Sequence, residues 1–279
     1  MWKSAIPADT SLARVTPPMI DAVKLKRAEE VKKSSVDRNL QVLRRFFNWC
    51  IEQGLAAENP MRRIKFFRAD TKRLRYLTEE EFVRLIEEAS NVAKSPFLRE
   101  AIELAVYTGL RRGNLLGLRW EWVDWLNRVI RVPRTKSGKP HAVPLNATAY
   151  ATLQRLWSAR GESPYVFAHA VGRSAGEAVQ DLKKGFHTAI DNAGIEDFRW
   201  HDLRHTFASW LIMRGASMRA VSELLGHQSM QMTMRYAHLS PGYLKTEVSL
   251  LDGIGQSKKG KKRATSSRER SARSEASEI

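Results

Sequence analysis

The chain has 279 residues, of which 43% are hydrophobic, enough apolar material for a folded core of one or two domains. It contains no apolar run of 18 residues, and its first 15 residues lack an apolar signal segment, which argues against a membrane span and a secretory leader. Its single cysteine, Cys50, excludes an intrachain disulfide and a cysteine-based zinc site, and it suits a reducing cytoplasm.

The formal net charge is +17, and this excess is unevenly distributed. Residues 1–75 hold 17 basic and 8 acidic side chains, residues 76–252 hold 22 and 19, and residues 253–279 hold 8 and 3. A basic excess of this size predicts a polyanionic partner, of which nucleic acid is the commonest. The alternative is a basic surface that only interacts with solvent.

The first quarter of the chain predicts a short helical basic domain. Residues 19–33 are expected to form a basic helix. Apolar residues from Val36 to Ile51 recur at helical spacing up to the helix-ending Gly54, and they place Cys50 in the core. Residues 61–76 are strongly basic without periodicity and are interpreted as a linker lying on a phosphate backbone. The sequence therefore predicts a DNA-binding domain with its linker over residues 1–75.

Residues 76–252 predict a second, mainly helical domain with a small β-hairpin. Thr78 and Glu81 have the spacing of a capping box at a helix start. Helices are expected at 82–88, 97–107, 147–158, 174–193, 201–214, 217–225 and 229–236. The hairpin is expected at 129–134 and 141–145, with its turn at Ser137-Gly138. Residues 253–279 have the low complexity and charge of a disordered basic tail.

Four clusters in the second domain carry residues suited to chemistry. Arg111 lies in YTGLRRGN, where Gly109 ends one helix and the next begins near residue 112. Lys136 lies in RTKSGK on the hairpin, and His201 and Arg204 lie in HDLRH. His227 follows Gly226, and a tyrosine follows nine residues later in the sequence RYAHLS, at Tyr236.

These residue types suit metal-free attack on a phosphodiester. Arginine is a permanent cation with a fork geometry that matches phosphate oxygens. A lysine can donate a proton, histidines can donate hydrogen bonds or move protons, and a tyrosine can act as nucleophile. Together such groups would neutralise charge that develops on non-bridging oxygens.

At these residues the sequence resembles the tyrosine recombinases of the phage integrase type. The family pattern has an arginine in T-G-L-R, a hairpin lysine, H-x-x-R, Gly-His and a tyrosine about nine residues later. This sequence matches it in order, with the set Arg111, Lys136, His201, Arg204, His227 and Tyr236. The resemblance extends from about Ser35 to Leu250 and implies a two-domain DNA clamp whose second domain, 76–252, is catalytic.

The resemblance also implies a mechanism without metal, ATP or cofactor. Tyr236 would attack the scissile phosphate and form a 3′-phosphotyrosyl bond, while Lys136 protonates the leaving 5′-hydroxyl. Arg111 and Arg204 would hold the phosphate with His227 as a third donor, and His201 would accept the tyrosine proton. A 5′-hydroxyl from another strand would then reseal the DNA.

The implied partners are double-stranded DNA, three further copies of the chain in a homotetramer on two synapsed sites, and an accessory DNA-bending protein. The segment after Tyr236 would dock on a neighbouring protomer, and the location would be the bacterial cytoplasm at the nucleoid. Two features depart from the family pattern. Asn114 replaces a usually acidic residue three positions after Arg111, and only two helices are evident before residue 60, where the family has four or more.

Several alternatives remain open at this level. In one alternative the chain is a DNA-binding protein of the same fold without catalysis. In another it is a relaxing topoisomerase that cuts one strand. His201 and His205 have the i, i+4 spacing of a zinc hydrolase site, but no third ligand is evident. Lys139 is the alternative to Lys136 as general acid. His205 is interpreted as a packing or hydrogen-bonding residue, or as one with a supporting role.

Overall fold

A computed structural model describes residues 10–67, 73–93, 95–134, 138–240, 248–249 and 251–252 of the chain. The chain divides into two compact units, residues 1–74 and 75–279. No helix in the described ranges is long and apolar enough to cross a membrane. The predicted tail, residues 253–279, lies outside the described residues, as does Lys136.

The first unit is built on two helices, α1 (Pro17–Glu30) and α2 (Lys33–Glu52), followed by a 3₁₀ turn at Pro60–Arg63. The proline at the start of α1 is favourable because the first helical N–H needs no partner. The apolar face of α2 packs into a core formed by Ile20, Val36, Leu40, Phe47, Met61 and Ile64. Cys50 is buried on the same helix, which confirms its predicted packing position.

The second unit begins with α3 (Glu79–Asn91), α4 (Leu98–Thr108) and α5 (Arg112–Leu116). The predicted capping box at the start of α3 is present, because Thr78 Oγ1 accepts from Glu81 N and Glu81 accepts from Thr78 N. A small antiparallel sheet follows, of order β1 (Val123–Asp124), β2 (Val129–Val132) and β3 (His141–Pro144). In its register Val132 pairs with His141. The sequence predicted β2 and β3 but missed the two-residue β1.

The remaining helices are α6 (Ala147–Ser158), α7 (Lys183–Asn192), α8 (Trp200–Met213) and α9 (Met218–Leu225). Helix α8 is buried along the whole stretch from residue 202 to 209, so it is the central helix of this unit. Its burial places polar residues of the HDLRH motif inside the domain. The mainly helical fold with a small sheet agrees with the predicted fold class.

Two predicted helices are wrong in part. The helix expected at 174–193 begins only at Lys183, because Gly176 adopts a φ of +84° and its N–H bonds to His169 O. An isolated bridge between Ala168 and Ala178 further holds this stretch as a loop. The helix expected at 229–236 forms two 3₁₀ turns instead, Met230–Met232 and Met234–Leu239.

Candidate active site

Arg204 is the buried centre of the site, with 5% of its surface exposed. Its Nη1 donates to Gly109 O and its Nη2 donates to Leu225 O, each at 2.5 Å. These carbonyls lie at the C-terminal ends of α4 and α9, where helices leave acceptors without intrahelical partners. The guanidinium of Arg204 therefore joins three helices, and we call Arg204 with the ends of α4 and α9 the arginine frame.

The turn at Gly109 depends on the absence of a side chain. Gly109 has a φ of +62°, and a Cβ there would lie 2.5 Å from Phe207 Cδ1 on α8. Because this turn is tight, Arg111 follows at once at the N-cap position of α5, half-buried. Arg111 is close enough to Arg204 that its charge, after burial, helps to lower the pKa of Arg204 to about 10.

The end of α9 places His227 beside the same two cations. Gly226 has a φ of +59° and ends the helix, and His227 follows it, half-buried. His227 Nδ1 lies 2.8 Å from Thr233 Oγ1. Burial, followed by the charges of Arg204 and Arg111, lowers the pKa of His227 to about 4. This imidazole is neutral at pH 7.

Tyr236 lies inside the domain, with 2% of its surface exposed. Its hydroxyl oxygen is 2.6 Å from Nδ1 of His205, the residue that follows Arg204 on α8. Burial raises the pKa of Tyr236 to about 12, and the nearby cations Arg235 and Arg204 offset only part of that rise. The phenol is therefore protonated and held by His205.

His201 lies in the first turn of α8 and is exposed. Its ring meets the ring of His205 edge to face, with centroids 5.0 Å apart. Partial desolvation, followed by the charge of Arg204, lowers the pKa of His201. His201 is therefore a neutral group that can accept a proton at pH 7. In this arrangement, however, the tyrosine hydroxyl contacts His205 rather than His201.

The structure thus brings five of the six predicted residues to one region, the sixth being Lys136. Lys139, the alternative to Lys136, is exposed on the hairpin. The described residues hold no group of three His, Cys, Asp or Glu side chains that could bind a metal ion, so the zinc site suggested by His201 and His205 has no third ligand there.

Comparison with known proteins shows the family of the chain. A profile described as the phage integrase family matches residues 75–242. The integrase of Salmonella phage P22 is 34% identical over 200 residues, which are 68% of this chain. The chain belongs to the phage integrase family. The tyrosine recombinase XerC of Thermodesulfovibrio yellowstonii is 28% identical over 261 residues, 87% of this chain and 86% of that protein.

Solved structures of phage integrases have the same fold. A lambda integrase (75–356) dimer bound to a COC′ core site superposes with a TM-score of 0.71 at 24% identity, covering 84% of this chain and 83% of that one. The catalytic domain of bacteriophage HP1 integrase gives 0.51 at 28% identity, covering 66% and 99%. The chain spans only 50% of the length of the P22 integrase.

The integrase-type motifs alone do not indicate three contacts of this site. His205 contacts the candidate nucleophile directly, Thr233 contacts His227, and His141 donates to the backbone of α9. The i, i+4 spacing of His201 and His205 raised a zinc site as an alternative, and His205 was predicted to be a packing or hydrogen-bonding residue without a named partner. Nothing in the sequence indicated the partners of Thr233 and His141. The first contact depends on the path of the chain after α9, and the second on how β3 packs against α9.

Proposed function

We propose that the chain is a site-specific DNA recombinase that cuts and rejoins duplex DNA through a covalent bond between Tyr236 and a 3′-phosphate. The observation that carries this proposal is the convergence of Tyr236, His205 and Arg204 on one buried position of α8. Arg111 and His227 approach the same guanidinium closely enough to share its electrostatic field. Membership of the phage integrase family supports the same chemistry.

In the proposed reaction Tyr236 Oη attacks phosphorus and the bond from phosphorus to the 5′-oxygen breaks. Arg111, Arg204 and neutral His227 donate to the non-bridging oxygens, where negative charge develops. His201 accepts the proton of the tyrosine, and Lys136 gives a proton to the leaving 5′-oxygen. The phosphotyrosyl ester conserves the bond, so a 5′-hydroxyl of another strand reverses the step without ATP or a metal ion.

The buried phenol adds a requirement to this mechanism. Tyr236 has 2% of its surface exposed, so in this position its hydroxyl is closed off from a DNA phosphate. Burial also raises its pKa to about 12, which disfavours loss of the proton. Tyr236 must leave His205 before attack. Since Tyr236 lies on a six-residue 3₁₀ turn rather than on a long helix, that movement needs no helix to unfold.

The proposed partners follow from the same reaction. The domain of residues 1–75 would bind the phosphate backbone with its basic side chains, and four protomers would assemble on two synapsed sites with a DNA-bending protein as accessory. Sizing the protein with and without its DNA site tests the assembly, which is expected to form only on DNA. A stable tetramer without DNA contradicts it.

Covalent capture tests the proposed chemistry. The protein is incubated with fragmented DNA of its source, quenched with detergent, and DNA attached to protein is isolated and sequenced. Adducts are expected with the wild type and none with Tyr236→Phe. Gel shifts without any adduct would instead indicate a binding protein, and plasmid relaxation without sequence preference would indicate a topoisomerase.

A further inference from the structure

His141, the first residue of β3, lies against the end of α9. Its Nε2 donates to Leu224 O at 3.0 Å. A Cβ on Gly226 would lie 3.0 Å from two atoms of the His141 ring, so the glycine leaves room for this ring. The contact therefore joins the hairpin to the helix end that precedes His227.

The backbone carbonyls at the C-terminal end of α9 accept hydrogen bonds from different partners. The N–H of Gly226 bonds to Glu223 O and the N–H of His227 bonds to Ser222 O. These bonds leave the last two carbonyls of α9 without a helical partner. His141 donates to Leu224 O, and Arg204 donates to Leu225 O. Two side chains from separate elements thus hold consecutive carbonyls immediately before the turn.

The electrostatics of His141 suit a neutral donor. Burial lowers its pKa, and the charges of Arg204 and Arg111 lower it further, whereas the bond to Leu224 opposes the shift. A neutral imidazole still has one N–H to donate. It holds the helix end without adding a positive charge beside the two arginines.

We propose that His141 is a positioning residue, which holds the end of α9 so that His227 meets the scissile phosphate beside Arg204. This rests on the proposed recombinase function. His141 itself does not contact DNA in the proposed step. It affects strand cleavage by fixing the position of the turn at Gly226.

Three substitutions separate the donor from the ring volume. His141→Phe keeps a ring but loses the N–H, and His141→Gln places an amide N–H near the position of Nε2. His141→Asn has the same chemistry but a side chain too short to reach Leu224 O. In single-turnover cleavage of a captured DNA site, Phe and Asn are expected to slow adduct formation by about 10- to 100-fold, since small misplacements cost this much. Gln is expected to stay within about threefold of the wild type, with DNA affinity unchanged in all three.

The matched control is His187→Phe, at an exposed position of α7, which is expected to leave the rate unchanged.

A double-mutant cycle tests whether His141 affects cleavage through His227. In a His227→Gln background the extra loss from His141→Phe should shrink to about threefold or less, whereas in a Lys136→Ala background it should persist in full. Because Gln and Asn differ by one methylene, their comparison remains decisive if His141→Phe fails to fold.

Two results overturn this proposal, namely full additivity with His227→Gln or equal rates for the Gln and Asn variants. Either result leaves the proposed function intact as long as the wild type forms Tyr236 adducts. Absence of adducts in the wild type contradicts the proposed function itself. The two failures are therefore distinguishable in one set of reactions.

Discussion

Arg204 and Tyr236 belong to one site but are held by different kinds of structure. Arg204 lies on the buried helix α8 and bonds to the ends of two further helices. Tyr236 lies in the tyrosine segment, residues 227–240, which consists of 3₁₀ turns with three exposed methionines, Met230, Met232 and Met234. Short 3₁₀ turns have weaker hydrogen bonds than α-helices, and exposed segments open more easily.

This difference matches the demands of the proposed reaction. Groups that stabilise a developing charge work best when they are fixed before the reaction. A nucleophile that forms a covalent bond with DNA must instead be able to move, because it leaves its buried position and stays attached to the DNA phosphate. The arginine frame supplies the first property and the tyrosine segment the second, so substitutions in the two regions should fail in different ways.

The largest effect is expected from Arg204→Ala. It leaves the carbonyls of Gly109 and Leu225 without their donor, which should lower the free energy of unfolding by about 3–5 kcal/mol. It should also slow adduct formation by at least about 10²- to 10³-fold. Urea unfolding and single-turnover cleavage measure the two effects. Arg219→Ala on exposed α9 surface is the control, and a similar loss there would mean that charge alone matters.

The next effect is expected from Gly109→Ala. The new Cβ would meet Phe207 at 2.5 Å and also occupy a positive φ, so the free energy of unfolding should fall by about 3 kcal/mol. Gly215→Ala has a comparable φ of +87° but no atom within 4 Å of its Cβ. It should cost only about 1 kcal/mol. Equal losses would show that the close packing against Phe207 contributes nothing.

Tyr236→Phe should act locally. It removes the hydroxyl that contacts His205 and leaves the buried ring in place, so opening of the tyrosine segment should become easier by about 1 kcal/mol. Native-state hydrogen exchange should detect this in residues 228–240 and leave α8 unchanged. Tyr150→Phe on α6 is the matched control. Faster exchange throughout α8 would mean that the two regions are not separable.

The last expected effect depends on pH and is small near pH 7. The folded pKa of His227 is about 4, below its ordinary value of 6.5, so the unfolded chain binds the proton first as the pH falls. The free energy of unfolding should therefore decrease from pH 6.5 down to pH 4, and His227→Asn should flatten this slope. Urea unfolding between pH 7.5 and 4.5 measures the difference, and identical slopes would contradict the burial of this imidazole.

Local sequence signals predicted much of the second unit. The capping box at Thr78, the end of α4 at Gly109 and the span of α6 were correct because each depends on neighbours within a few residues. The first part of the helix predicted at 174–193 was wrong, because a bridge between Ala168 and Ala178 holds residues 174–182 as a loop. Periodicity contains no information about such a pairing.

The motifs also predicted which residues would come together, but not the contacts they make. The family resemblance implied that His201 accepts the tyrosine proton, whereas the phenol contacts His205, one helical turn along α8. Which histidine it meets depends on the path of the tyrosine segment across α8. That path is set by tertiary packing between residues more than 30 positions apart.

The hydrogen bond between Thr233 and His227 also restricts the length of the segment that leads to Tyr236. His227 Nδ1 contacts Thr233 within the same segment, and Tyr236 contacts His205 on α8. The stretch from 227 to 236 is therefore closed by one internal contact and joined to α8 by the other. The separation of nine residues then limits how far the nucleophile Tyr236 can lie from His227, the proposed hydrogen-bond donor to the phosphate. A residue added or deleted between these positions would displace one of the two contacts, so the length of this segment is a constraint that no side-chain substitution can relieve.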